Sequence, residues 1–191
     1  MHPLILALDV AGNPHQWITH EDAAYYYTKS LVAWDFGTEG CVLHGGTSRI
    51  TNEQSQLALS SIIAIRGKTM RAEAAARYNT PLLNNKALFI RDRHLCAYCG
   101  NVFADSELTR DHVIPTSKNG ANTWMNCVTS CKRCNNMKGD RTPTEYGHEL
   151  LYLPYTPNRA EYLIMTNKRI MADQMEFLMS KIPAHSRLHV N

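Results

Sequence analysis

The stretch NCVTSCKRCNNMKGDR, residues 126–141, decides how the rest of the chain is read. It contains Cys131-Lys-Arg-Cys134, and a second C-x-x-C pair, Cys96-Ala-Tyr-Cys99, lies upstream with Gly100 directly after it. Thiolates are soft ligands, and four of them match the closed tetrahedral shell of a structural zinc ion. Each C-x-x-C turns tightly enough to aim two sulfurs at one ion. One such pair would leave a redox dithiol open, but two favour metal. The spacing therefore predicts a Zn2+ site on Cys96, Cys99, Cys131 and Cys134. The 31 residues between Cys99 and Cys131 leave room for a hairpin and a loop, clamped at their base by the ion. The other two cysteines, Cys41 and Cys127, read as small buried hydrophobes.

Inside that interval lies LTRDHVIPTSKNG, residues 108–120, which reads as a strand ending at Pro115 and a Lys-Asn-Gly turn. Asp111 and His112 are neighbours in the strand, so their side chains point to opposite faces. An acid or an imidazole alone in a strand is ordinarily a surface group. Here both sit between the cysteine pairs, with Asn126 fourteen residues after His112 and Asn135 nine residues further on.

This order resembles the HNH endonuclease family, whose active site is a ββα-metal finger. The matching residues are Asp111-His112, Asn126, and Asn135 within C-x-x-C-N-x-x-K-G. The core of the resemblance covers residues 91–145. A looser pattern over residues 1–157 is similar to a bacterial and phage subgroup. The family's third letter is often His; Asn135 makes this chain an H-N-N variant. The resemblance implies roles. His112 acts as general base on water, since imidazole titrates near neutrality. Asp111 and Asn135 offer hard oxygen ligands to a catalytic Mg2+ or Mn2+, which stabilises the departing 3′ oxyanion. Asn126 holds the loop that aims His112. A helix over about 131–138 backs the strands and carries Asn135.

Charge supports a nucleic-acid substrate only locally. Net charge is +3, and residues 1–80 carry six Lys or Arg against seven acids, whereas residues 81–145 carry nine against six. Arg110, Lys118, Arg133, Lys138 and Arg141 cluster around the finger and are the candidate phosphate contacts, with Lys138 and Arg141 the strongest. Some of these cations also offset the thiolates of the cage. Trp124 reads as a buried anchor for its loop.

The flanks are plainer. PLILALDV is a candidate strand, Thr19 and Asp22 fit a capping box, and Ala23, Tyr27, Leu31 and Trp34 recur at helical spacing, which predicts a helix over about 20–33. GCVLHGG reads as a hairpin arm and LALSSIIAIRG as a strand. Residues 67–85 read as a connection. The tail from Arg159 to Ile182 carries an apolar, Met-rich stripe on one helix face. No apolar run approaches a membrane span, and the start lacks a basic leader, so a cytoplasmic location is expected.

The expected fold class is α+β: a small N-terminal α/β segment over 1–85, a zinc-stabilised ββα-metal module over 86–145, and a C-terminal extension with an amphipathic helix over 146–191. The expected partner is DNA, with a homodimer through the N-terminal segment or the C-terminal helix and no membrane. The expected activity is metal-dependent endonucleolytic hydrolysis. The alternatives are a non-catalytic zinc module that binds nucleic acid and a zinc-stabilised adaptor for another protein.

Overall fold

A computed structural model describes residues 3–67, 79–184 and 186–189. The fold is α+β, and the chain falls into two compact units. One comprises residues 1–79 with 159–191, and the other residues 80–158. This differs from the three consecutive blocks read from the sequence, because the C-terminal residues close the core of the first unit. Most of the connection expected over 67–85, residues 68–78, lies outside the described residues.

The first unit is built on a four-stranded sheet. Strands β1 (Ile5–Leu8), β2 (Pro14–Ile18), β3 (Val32–Thr47) and β4 (Gln54–Ile65) take the order β2-β1-β4-β3. β1 runs parallel to β4 and antiparallel to β2, and β3 and β4 form a long antiparallel pair. Alternation sorts the side chains onto two buried faces. Leu6, Leu8, Ile62 and Ala64 face Ala160, Leu163, Leu178 and Ile182. Ile5, Ala7, Leu59, Ile63 and Ile65 face Ala23 on helix α1 (His20–Thr28). Thr19 caps α1 as expected, accepting from the Asp22 N–H.

The helix expected over 20–33 stops at Thr28. Ser30 takes a left-handed conformation at φ 54°, and the Leu31 N–H bonds back to Tyr26 O at 2.8 Å. Trp34 therefore lies on β3, where its indole N–H reaches Val10 O. Its place in the helical pattern was coincidental, because an indole suits a half-exposed strand as well as a helix face.

The C-terminal stripe forms two helices, α5 (Arg159–Thr166) and α6 (Ala172–Met179), instead of one. Thr166 bonds back to Tyr162 O, and the Asn167 carboxamide accepts the Arg169 N–H, an Asx turn that ends the first helix. Gln174, fully buried, then accepts from the Met171 N–H and donates to Leu4 O and Ser61 O. Leu163, Leu178 and Ile182 all lie on this unit's own sheet. The apolar stripe thus covers that sheet, and it does not support the homodimer expected through the C-terminal helix.

The second unit begins with α2 (Asn85–Arg91), capped by Asn84. A turn over 95–102 follows. Next come β5 (Leu108–His112), β6 (Cys127–Cys131), α3 (Lys132–Lys138) and α4 (Pro143–Tyr146). β5 and β6 pair antiparallel, with Asp111 opposite Val128 and His112 opposite Cys127. α3 packs on both strands, completing a ββα arrangement. β5 ends at His112, three residues short of Pro115, although the Val113 N–H still bonds Asn126 O.

Arg91 staples this unit. It is 2% exposed and pairs with Asp92 at 2.7 Å. It donates to the carbonyls of Trp124, Tyr155 and Cys127, and its guanidinium lies over the Trp124 and Tyr155 rings. The Trp124 indole bonds Pro81 O, so this residue is the buried anchor that its context suggested. Among the described residues no helix is long and apolar enough to cross a membrane.

Candidate functional site

The cysteine cage assembles from two local devices. Cys96 ends the first arm of a small knuckle: Leu95 bridges to Val102, and the Cys96 N–H bonds Asn101 O. Gly100, at φ +72°, turns the chain back so that its N–H reaches Cys96 O. Cys131 is the last residue of β6 and the N-cap of α3, its sulfur accepting the Cys134 N–H at 3.4 Å. The four Sγ atoms all lie within 4.8 Å of one another. A tetrahedral shell with Zn–S near 2.3 Å places sulfurs roughly 3.8 Å apart, so the cluster fits one zinc ion with a small contraction. Burial pushes the Cys99 and Cys134 thiols up. Burial acts on Cys96 as well, but the backbone N–H groups of Cys99, Cys131 and Tyr98 outweigh it and bring that thiol down to about 7. Four crowded sulfurs, one already inclined to thiolate, suit a dication. Of the other cysteines, Cys127 is buried as expected, whereas Cys41 on β3 is only half-buried.

Asp111 and His112 occupy opposite faces of β5. Asp111 is 4% exposed, and both carboxylate oxygens are engaged. Oδ2 accepts from the Tyr98 hydroxyl at 2.5 Å, and Oδ1 accepts from Lys138 Nζ at 2.9 Å. Burial, first, and the donation to Asp111 hold the Tyr98 phenol far above its ordinary range, so it stays a donor. His112 is half-buried. Its Nε2 is shielded from solvent and meets no hydrogen-bond partner among the described residues. A buried imidazole nitrogen without a partner is uncommon, because leaving one costs about 1–3 kcal/mol.

Asn126 works as a clasp. Its Oδ1 accepts the Ile114 N–H at 2.8 Å, and its Nδ2 donates to Ile114 O and Ala121 O. The loop leaving β5 is thereby tied to the residue that precedes β6. Gly120 belongs to the same clasp: a Cβ there would fall 1.7 Å from Ile114 O and 2.9 Å from Asn126 Nδ2. Asn135 lies on α3, and its Nδ2 donates to Thr109 Oγ1 at 2.8 Å. That commits one of the two amide hydrogens and fixes the nitrogen end of the carboxamide on β5.

A carboxylate on β5 and an amide oxygen on the helix packed against it form the donor set a hard divalent cation takes. Asp111 retains lone pairs after its two hydrogen bonds. The residues therefore fit such an ion, with Lys138 as the nearest rival for the carboxylate.

The five cations expected at phosphate part ways. Lys138 is 1% exposed, donating to Asp111 and to His112 O, so it is withdrawn from any backbone phosphate at the surface. The one-turn step from Asn135 to Lys138 points it inward with the ligand face. Lys118 is paired with Glu145 at 2.5 Å. Arg110 donates to Asn122, and Arg141 caps the end of α3 by donating to Lys138 O and Met137 O while lying over the Tyr146 ring. Arg133 is exposed, as is its neighbour Lys132 in the same basic run. Tyr98, which holds Asp111, was missed in the sequence. The only sequence signal for it is a hydroxyl-bearing aromatic within the first C-x-x-C, and nothing in the spacing joins it to Asp111.

Comparison with known proteins bears on residues 96–151, which match the family model described as HNH endonuclease. The chain is also similar to a CRISPR-associated endonuclease Cas9 of Corynebacterium diphtheriae, 44% identical over 46 residues. That similarity covers 24% of this chain and 4% of the Cas9 protein.

Proposed function

We propose, from the membership of residues 96–151 in the HNH endonuclease family, that the chain is a metal-dependent endonuclease that hydrolyses DNA phosphodiester bonds in the cytoplasm. The observation that carries this reading is the pairing of Asp111 and His112 at the end of β5, backed by α3 and Asn135.

His112 is the general base. Its ring leaves β5 on the face opposite Asp111 and takes a proton from a water molecule that attacks phosphorus. Asn126 is a positioning residue: by fixing both backbone groups of Ile114 it fixes the chain two residues after His112, and so the direction of the imidazole. Asp111 and Asn135 would hold Mg2+ or Mn2+, which when bound supplies charge stabilisation at the leaving 3′ oxygen. Exposed Arg133, together with Arg110 and Arg141, supplies positive charge to the phosphates on either side. The zinc on Cys96, Cys99, Cys131 and Cys134 takes no part in the reaction; it holds β6, α3 and the 95–102 turn in register.

The test is cleavage of supercoiled plasmid with Mg2+ or Mn2+, wild type beside His112→Ala. The expected outcome is divalent-dependent nicking by the wild type, reduced at least about 100-fold in the variant at unchanged zinc content. Plasmid binding without cleavage by either protein would instead support a non-catalytic nucleic-acid-binding module.

A further inference from the structure

Lys138 is a buried charged group in contact with the proposed site that the proposed reaction leaves without a role. It is the last residue of α3, directly before Gly139, and only 1% of it meets solvent. Its ammonium bridges two consecutive residues of β5, reaching Asp111 Oδ1 at 2.9 Å and His112 O at 2.8 Å. Tyr98, from the zinc-bearing turn, holds the other oxygen of the same carboxylate. Asp111 is thus gripped from both sides, by a neutral donor on Oδ2 and a cation on Oδ1.

The two grips differ in what they do to an incoming dication. A phenol hydrogen bond fixes the carboxylate's rotation and leaves its charge in place. An ammonium neutralises that charge and repels a second cation brought to the same oxygen, an effect that burial strengthens. Lysine is also the cation best able to yield, being a compact charge on a flexible four-carbon stem.

We infer that Lys138 is a positioning residue that serves as the internal counter-ion of Asp111 and competes with the divalent cation for it. Loading of the ion withdraws the ammonium from Oδ1, while the Tyr98 hydroxyl keeps the carboxylate aimed. Divalent affinity is therefore set by the exchange of one cation for another. The inference rests on Asp111 as a divalent ligand, and its test reads binding without cleavage.

Zinc-loaded wild type, Lys138→Met and Asp111→Asn are titrated with Mn2+, with free ion followed by electron paramagnetic resonance. Lys138→Met is expected to bind at least about tenfold more tightly than wild type, and Asp111→Asn to lose the site. Unchanged or weaker binding by a folded, zinc-replete Lys138→Met overturns the inference. Because removing one partner of a buried ion pair can unfold a protein, a second measurement uses the wild type alone. Lysine acetylation mapped by mass spectrometry should find Lys138 protected without Mn2+ and reactive at saturation; continued protection at saturation overturns the inference. If neither wild type nor Lys138→Met binds Mn2+ through Asp111, the divalent site itself falls and the inference with it.

Discussion

The unit formed by residues 1–79 and 159–191 buries Leu6, Leu8, Ile62, Ile63 and Leu178 on the two faces of a four-stranded sheet. The unit of residues 80–158 has two paired strands of five residues each. Among its most deeply buried groups are Arg91, Asp92, Asp111 and Lys138, beside Thr129, Ser130 and two of the four clustered cysteines, Cys96 and Cys131. Apolar area dominates the first, whereas the second relies on buried charge pairing and on a four-cysteine cluster that fits a metal ion. Apolar burial is non-directional and tolerates displacement. Ion pairs and thiolate cages fix direction, which is what a hydrolytic site requires of its ligands.

That contrast breaks most visibly at the zinc. Cys131→Ser removes one of the four proposed zinc ligands, which is also the N-cap of α3 and the end of β6. Structural zinc supplies on the order of 10–16 kcal/mol of apparent folding energy in small modules, more than a 79-residue unit of this kind holds in reserve. The expected outcome is loss of zinc by metal analysis and loss of amide protection across β5, β6 and α3. Protection of β1 and β4 should persist. Simultaneous loss in β1 and β4 would show that the units do not differ in this way.

Arg91→Met probes the second unit without touching the metal ligands. It leaves Asp92 buried with a single remaining donor, the Thr129 N–H, and frees three carbonyls. Breaking a buried pair from one side costs about 3–5 kcal/mol, to be read from urea denaturation of the zinc-loaded protein. The matching test of the first unit is Leu178→Ala, where a fully buried side chain leaves a cavity under the sheet. About 2–5 kcal/mol should be lost, with zinc content unchanged and Asp111-dependent Mn2+ binding intact.

The same contrast explains what the sequence made legible. The cage could be read because C-x-x-C is local: Cys96 to Cys99, and Cys131 to Cys134, each close within one turn. Asp111, His112, Asn126 and Asn135 could be placed on the fold because their order along the chain is that of a strand, the loop before its partner and the helix after it. Arg91, Tyr98 and Lys138 could not, since each acts across 13 to 64 residues of sequence on partners such as Asp111 and Tyr155 that no spacing rule connects. The burial of Lys138 was not legible for a physical reason: a lysine in a basic run is ordinarily solvated, and only the position of Asp111 across the fold turns it inward. The division of the tail into α5 and α6 escaped because Thr166 and Asn167 end a helix through side-chain hydrogen bonds, without the glycine or proline that marks most breaks.

The smallest expected effect lies at the edge of the second unit, where Lys118 meets Glu145 in solvent. The Lys118 ammonium, first, and the Thr142 N–H hold the Glu145 carboxyl down to about 2, below the usual carboxylate value of about 4.3. A depressed folded-state value means the pair stabilises above the unfolded value and loses that contribution as pH falls toward the folded one. Glu145→Gln isolates the charge, because a glutamine at this position still closes the capping box with Thr142. The difference in Tm between wild type and variant should be small at pH 6 and shrink as pH is lowered from 5 toward 3, over the range in which zinc stays bound. It should shrink again in high salt, since both side chains are screened by water. The same variant frees Lys118 beside the proposed DNA path, so nucleic-acid affinity should rise and its salt dependence steepen by roughly one phosphate contact. A Tm difference that survives both acid and salt would mean that Glu145 acts through the helix cap, and that even the rim of this unit is held by directed hydrogen bonds rather than by charge.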